Sequence, residues 1–305
     1  MHHFDGRPLK EILGKESGRY FGSGHRHIRH TVSQVAEHVD GDRIRLSAVK
    51  QAVYPRRWSL DAAGDPREVH LSSIDAISLA LKTISLCENT NRGAWWEGPF
   101  DVTGFSVVAG RVATTDVGSV PIGITTDHGG PLVSTKSLRA CIGGLDVDLE
   151  CAPSRARPGA AEAAPGLTHA AAGDSNQMSS HVDRVDLVDG HLETSHSVTS
   201  SQAGYSAAPP RLDAVDELVM FGQLAQVLIY AVNDTSRSAV PNLWLRRASV
   251  SRTPAPSGGQ ARFSARTSVR RNAEVVIGGR TLRDVRLVST SEHGASASAA
   301  FGYSA

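Results

Sequence analysis

At 305 residues the chain is long enough for one large domain or two of ordinary size. Apolar residues make up 40% of it, enough for a substantial core, but aromatics are only 5%, so that core must be built mainly from small and branched side chains. With 32 basic against 31 acidic residues the formal charge is +1, which excludes a large field for holding nucleic acid or anionic lipid non-specifically. The short Arg246-Arg247 and Arg266–Arg271 stretches read as solvated strand faces.

Cys87, Cys141 and Cys151 have neither metal-ligand nor redox spacing, and so sparse a set suggests buried thiols in a reducing compartment. MHHFDGRPLK at the N-terminus lacks the apolar run of a signal peptide. The longest apolar stretch, Val219–Val232, is interrupted by Gln223 and Gln226 and is too short to span a bilayer. A soluble, cytoplasmic protein without a membrane span is expected.

In chain order, the segment from His30, HTVSQVAEHVDGDRIRLSAVKQAVYP, alternates on both sides of Asp40-Gly41, a strong hairpin signal because both turn residues take positive φ. A loop rich in Pro, Gly and Asp follows over 56–67. In LSSIDAISLALKTISLCENTN, Ile74, Ile77, Leu81 and Ile84 fall on one helical face, and Leu79, Ala80, Leu86 and Cys87 extend it nearly all round, so the helix is expected to be wrapped on most sides. Ser72 and Asp75 form an N-terminal capping pattern. Strand-like runs follow: FDVTGFSVVAG, VATTDVGSVPIGITT, SLRACIG and LDVDLECA. Residues 152–180, rich in Ala, Pro, Gly and Ser, read as a linker.

The pattern then restarts. HVDRVDLVDGHLETSHSVTS is a second hairpin, turning at Asp189-Gly190, and LDAVDELVMFGQLAQVLIYAV is a second apolar helix with Asp213 as N-cap. Then come NLWLRRASVSR, GQARFSARTSVRR, AEVVIGGRTLRDVRLVST and ASASAAFGYS. Val39-Asp40-Gly41 recurs at 188–190, a shift of 149 residues, Gln51–Tyr54 recurs as Gln202–Tyr205 at a shift of 151, and Ile74-Asp75 recurs as Val215-Asp216 at a shift of 141. Three landmarks in one order, with matching element types, indicate an internal duplication. Each half is a hairpin, one buried helix and three or four antiparallel strands. This is an α+β class protein, a tandem (double) hot-dog fold in which each half curls a sheet around one central helix. A split βαβ arrangement is disfavoured by the single strong helix per half. The expected division is an N-terminal arm at 1–29, a first half at 30–151, the linker at 152–180 and a second half at 181–305.

Leu13-Gly14 followed by RYFGSG at 19–24, and HLSSIDAISLALKTISL at 70–86, resemble the avirulence D (AvrD) family, and the length and two-part layout fit. That family is associated with syringolides, acyl glycosides formed from a 3-oxoacyl chain and a ketopentose. Its logic is similar to that of AfsA-type enzymes of γ-butyrolactone biosynthesis. The resemblance implies a biosynthetic acyltransferase that condenses a 3-oxoacyl thioester with a small ketose or hydroxy-ketone to give an ester, lactone or butenolide-type signal. Its co-substrate would be acyl-CoA or an acyl carrier protein thioester, with no bound cofactor or metal. Residues 152–180 depart from the family pattern.

In hot-dog enzymes the thioester lies beside the start of the central helix, where unpaired N–H groups can polarise its carbonyl. At the first such entrance stand His70, Ser72, Ser73 and Asp75. Asp75 reads as a general base assisted by His70, or as half of a capping box with Ser72. At the second stand Asp213, Asp216 and Glu217. These suit the helix dipole, or supply a carboxylate whose pKa is raised in an apolar tunnel. His70, His181, His191 and His196 are the available histidines, with His191 and His196 expected to face solvent. Gln223 and Gln226 need partners in an apolar helix: backbone, or a carrier-derived amide. In RYFGSGHRH, Gly22 and Gly24 allow close backbone approach, Arg19 can bind phosphate or carboxylate, and Tyr20, Ser23, His25, Arg26 and His27 stand alongside; the alternative is a tight turn tying the arm to the sheet. Trp95 and Trp96 either roof an acyl tunnel or close a sheet end. No Gly-x-Ser-x-Gly elbow or zinc-type spacing is present, and Cys87 on the buried helix face reads as inert. A hot-dog dehydratase or thioesterase, and a non-catalytic acyl-ligand-binding protein, are the competing readings.

Overall fold

The computed structural model describes residues 6–40, 43–56, 58–61, 64–89, 100–126, 136–153, 178–200, 212–240, 243–252 and 262–304. Contacts divide the chain into two compact units. One comprises 29–53 and 69–175; the other joins 1–28 and 54–68 to 176–305.

In the first of these, strands β1 (Arg29–Asp40) and β2 (Arg43–Val53) form the predicted hairpin. Their register pairs Asp40 with Arg43, so the connection is 41–42, one residue beyond the expected turn and outside the described residues. Helix α2 (Ser73–Asn89) follows, preceded in the other unit by the short helix α1 (Leu9–Leu13). Then come β3 (Phe100–Ala109), β4 (Val120–Thr126), β5 (Lys136–Ile142) and β6 (Leu145–Pro153). All pairings are antiparallel, in the order β1-β2-β4-β5-β6-β3. Helix α2 touches all six strands, as a helix does when a sheet curls around it. Ile74, Ile77, Leu79 and Ile84 are almost wholly inaccessible. Each fully buried side chain of that size contributes roughly 1.5–3 kcal/mol.

VATTDVGSVPIGITT becomes a strand only from Val120. Before it the Thr114 carbonyl accepts from Leu71 N–H and its hydroxyl from Gly144 N–H, so this backbone ties loops together instead of extending a ladder.

The other unit repeats the plan. Strands β7 (Met178–Val188) and β8 (His191–Ser200) turn at Asp189 and Gly190, with φ of 47° and 77°, as the sequence predicts. Helix α3 (Ala214–Val232) is followed by β9 (Trp244–Arg252), β10 (Arg262–Ile277), β11 (Arg280–Ser291) and β12 (Ala295–Ser304). The order is β7-β8-β10-β11-β12-β9, again all antiparallel. Strand by strand this is the same topology as the first unit, and it establishes the tandem hot-dog fold from the connectivity alone. AEVVIGGRTLRDVRLVST, read as one strand, is split by a turn at Gly278-Gly279, both at positive φ, and its first part continues β10. The two arginine stretches lie mostly on exposed strand faces, as expected.

Helix α3 packs against β7, β8, β9, β10 and β11. At 19 residues it is long and apolar enough to cross a bilayer, longer than its uninterrupted apolar run suggested, but it is mostly buried. Strands take residues 152–153 and 178–180 from the expected linker; the rest of it, 154–177, lies outside the described residues. So do Trp95, Trp96 and Gln202–Tyr205. Cys151 is buried, but Cys141, on the outer side of β5, is exposed, contrary to the expectation of buried thiols. The side chain of Cys87 lies outside the described set.

Candidate active site at the entrance of the second helix

Asp213 caps α3 as predicted. Its carboxylate accepts from Asp216 N–H at 2.7 Å, and Asp216 accepts from Asp213 N–H at 3.4 Å. The first turn of α3 then meets the RYFGSGHRH loop. That loop runs between two 3-10 turns, Glu16–Gly18 and Gly24–His27, and closes on itself through hydrogen bonds from Gly22 and Gly24 N–H to the Arg19 carbonyl and from Ser23 N–H to that of Glu16. Both glycines are required for space: a Cβ on Gly22 would stand 2.4 Å from the Glu16 oxygen, and one on Gly24 2.1 Å from that of Trp58. Phe21 lies against α3 where Gly222 leaves a notch, since a Cβ there would come within 2.5 Å of the ring. Tyr20 stands edge-on to Trp58, Phe21 and His25. Arg237 fastens the base of the loop, donating to the carbonyls of Leu13, Gly18 and Leu60. The arm is thus a built wall, a fuller role than a turn that ties it down.

Between loop and helix lies a small open cleft lined by Glu16, Gly22, Ser23, Arg26, His181, Asp216, Val219, Met220 and Gln223. Four residues expected at a site (Gly22, Ser23, Asp216 and Gln223) are thereby brought together. Arg26 pairs with Asp216 at 3.3 Å. Burial, then the neighbouring Asp213 charge, push the Asp216 carboxyl up to about 8 despite that pair and the bond from Asp213 N–H. Gln223 accepts from Arg19 Nη1 at 3.4 Å, so its partner is a side chain and not the expected backbone. Burial holds the Arg19 guanidinium down to about 10. Tyr20 and Gly24 support the loop and are not part of the cleft lining.

Glu217, expected beside Asp216 as a catalytic group, does not line that cleft. It is 1% exposed and held by Arg252 at 2.7 Å and His293 at 3.2 Å, while Arg252 also donates to the Leu212 carbonyl. His196, expected to face solvent, is wholly buried, stacked on Phe263 and bonded to Thr194 at 2.8 Å. Burial, reinforced by His293, lowers its pKa to about 4. The strand period could have shown this, because His196 falls in step with Leu192, Thr194 and Val198. His191 is largely covered, with Nε2 3.2 Å from Glu193.

At the entrance of α2, Ser72 and Asp75 form the predicted capping box: Asp75 N–H donates to Ser72 Oγ at 3.1 Å and Ser72 N–H to Asp75 at 3.0 Å. The histidine on Asp75 is His30 of β1, at 2.9 Å, which sequence reasoning missed. His70 is half-buried. Lys50, wholly inaccessible, lies close enough to act on Asp75 by its charge. Burial raises the Asp75 pKa, but the His30 bond and charge, Lys50 and the Ser72 N–H outweigh it, and the net shift is downward. Burial likewise lowers Lys50, against the pull of Asp75. Among the described residues no three His, Cys, Asp or Glu side chains converge as a metal site.

The class defined so far is a tandem hot-dog protein with an acidic group and a basic loop at the entrance of its second helix. Residues 6–125 match the family described as Pseudomonas avirulence D protein (AvrD), which supports the resemblance drawn from RYFGSG and the α2 segment. No curated protein matches the chain. Similar solved structures include a tesB protein of Mycobacterium avium subs paratuberculosis (9% identity, TM-score 0.42, covering 89% of this chain and 96% of that one). Another is a putative thioesterase II of Thermobifida fusca (11%, 0.43, 89% and 96%). A third is a hot-dog protein of unknown function from Alicyclobacillus acidocaldarius (12%, 0.40, 88% and 96%). With TM-scores below 0.5, these likenesses add nothing to what the strand order establishes.

Proposed function

We propose that the chain is an enzyme acting on an acyl thioester, and that its reaction is transfer of a 3-oxoacyl group from acyl-CoA or an acyl carrier protein to the hydroxyl of a small ketose or hydroxy-ketone. The observation that carries this reading is the Asp216 carboxyl. It lines an open cleft, it is fixed by a capping box and by Arg26, and its pKa of about 8 lets it both accept and return a proton near neutrality. Ionised Asp216 takes the proton of the acceptor hydroxyl as its oxygen attacks the thioester carbonyl. Collapse of the tetrahedral intermediate breaks the C–S bond, and the leaving thiolate takes the proton back from Asp216. Val219 and Met220 offer the acyl chain an apolar wall. Ring closure of the product to a lactone or butenolide follows from the 3-oxo group and is part of the syringolide-like reading.

His181 lines the same cleft, which supports a second reading: a carboxyl and a histidine acting together in thioester dehydration or hydrolysis. Incubation with a 3-oxoacyl thioester, with and without a ketose, separates the readings by product mass. An acyl-ketose or lactone is expected. Free acid or enoyl product supports the second reading, and unchanged substrate with tight binding leaves only a ligand-binding protein.

A further inference from the structure

Strand β10 runs on well past the strand that flanks it. Its pairing with β8 covers Arg262–Ser268 and stops where β8 turns. From Val269 to Ile277 it is paired on one side, to β11, and no further backbone bond reaches this stretch from the described residues. The duplication shows that the fold does not need the length. Thr126 of β4 and Thr267 of β10 hold matching places, each buried and each opposite the second residue of its hairpin's return strand, Ile44 and Leu192. In the first unit the chain comes back to pair with Thr126 at Leu138, so the link is 127–137. In the second it comes back to Thr267 only at Ser289, after 268–288. The added length forms a two-stranded ribbon with an open edge.

Bare edges are templates for pairing with another chain, and proteins usually blunt them. The outer strand β7 is treated in that way: the Gly6 N–H donates to the Val185 carbonyl, and Arg7 bridges to Val185. The β10 edge is not. It has no proline or lysine, and Val276 and Ile277 are 72% and 63% exposed. Its charges are of both signs, with Arg270 and Arg271 toward one end and Glu274 toward the other, all exposed. Arg270 has no ion pair among the described residues. Glu274 is oriented by Arg283 at 2.7 Å through one oxygen, and no described residue bonds the other. Charges of one sign would repel a second copy. Here an antiparallel pair centred on Asn272 lays Arg270 of each copy across from Glu274 of the other, so two attractive pairs form by symmetry.

We propose that the 269–277 edge joins a second copy of this chain, strand to antiparallel strand, in a dimer whose twofold axis passes beside Asn272. The self-complementary charge pattern selects this occupant; an anionic membrane would meet Glu274 and Asp284 among the arginines. The proposal is independent of the acyl-transfer reading, and turnover is not its readout.

Sedimentation velocity on the full chain, at up to about 100 µM to include a small interface, should give a dimer. Arg270→Glu and Glu274→Arg each set like charges across from one another twice, and each should weaken the dimer about 10-fold or more. Mixed in equal amounts, the two variants again present opposite charges and should dimerise with each other as the wild type does with itself. Val276→Lys tests the apolar end of the edge without the charge pattern and should also favour monomer. Thermal melting confirms that each of these exposed substitutions leaves the fold intact. A wild type that stays monomeric over the whole range overturns the proposal, and one that is monomeric but binds phosphatidylserine vesicles gives the edge to a membrane instead. A dimer that both single charge swaps leave unchanged, or swapped variants that stay monomeric when mixed, overturns it as well.

Discussion

Asp75 and Asp216 hold the same place in two copies of one topology, the third position after the N-cap of the central helix, and the structure gives them opposite chemistry. Asp75 is buried and the Asp216 side chain largely covered, and both close a capping box. Asp75 has a histidine at 2.9 Å and a buried lysine nearby, and its pKa falls. Asp216 has another aspartate beside it and a half-screened arginine at 3.3 Å, and its pKa rises to about 8. Burial acts on both in the same direction, so the partners decide the outcome. A duplicated fold supplies two equivalent helix entrances, and the neighbours determine which one can exchange protons.

That contrast is open to direct attack. The largest effect expected is on turnover: Asp216→Asn should lower kcat/KM by about 10²–10⁴-fold, the usual contribution of a positioned acid or base. Its folding should change by only about 1 kcal/mol, the scale of a weakened cap, as read by urea denaturation. Asp75→Asn should do the reverse and cost about 3–5 kcal/mol of stability, because it leaves His30 and Lys50 in a network without its anion. A stable, inactive Asp75→Asn protein would erase the distinction. Next in size is Gly222→Ala. In most helices that change stabilises by about 0.5–1 kcal/mol. Here the new methyl meets Phe21, and a loss of about 1–3 kcal/mol in urea denaturation is expected from overpacking.

The pH dependence differs in sign between the two carboxyls. Asp75 is depressed, so its contribution is present above the ordinary carboxylate range and disappears as pH falls through its folded pKa. Asp216 is raised from 3.8 to about 8, so its contribution is present below pH 4 and is lost as pH rises toward and through 8. Wild type should therefore lose stability relative to Asp216→Asn from pH 5 to pH 8.5; a wild type that gains on the variant over that range would remove the raised pKa.

What the sequence discloses follows the range of the interaction. The caps at Ser72 and Asp213 are local, and both were legible, as was the shift of 141 residues between Ile74-Asp75 and Val215-Asp216, at the two helix starts. The turn landmark was nearly so: the hairpin connection is 41–42 in one copy and 189–190 in the other, one residue out of step with the matching Val-Asp-Gly triplets. Pairs formed across the sheet were not legible. His30 reaches Asp75, and Arg26 reaches Asp216, only once strands and loops are placed. Nor does any local pattern show that Glu217 is held by Arg252 and His293, from β9 and the turn before β12, while its neighbour Asp216 faces a cleft.

Residues 1–28 belong to the same compact unit as α3 and β7 to β12. On a ribosome the arm emerges first, and the notch at Gly222 that receives Phe21 is made about 200 residues later, a delay of roughly 10–40 s at ordinary elongation rates. The unit built from 29–53 and 69–175 is complete well before then. The nascent arm, with its buried-to-be arginine and aromatic residues, must therefore stay unattached while its neighbour folds, and the cleft is among the last parts of the protein to come into being.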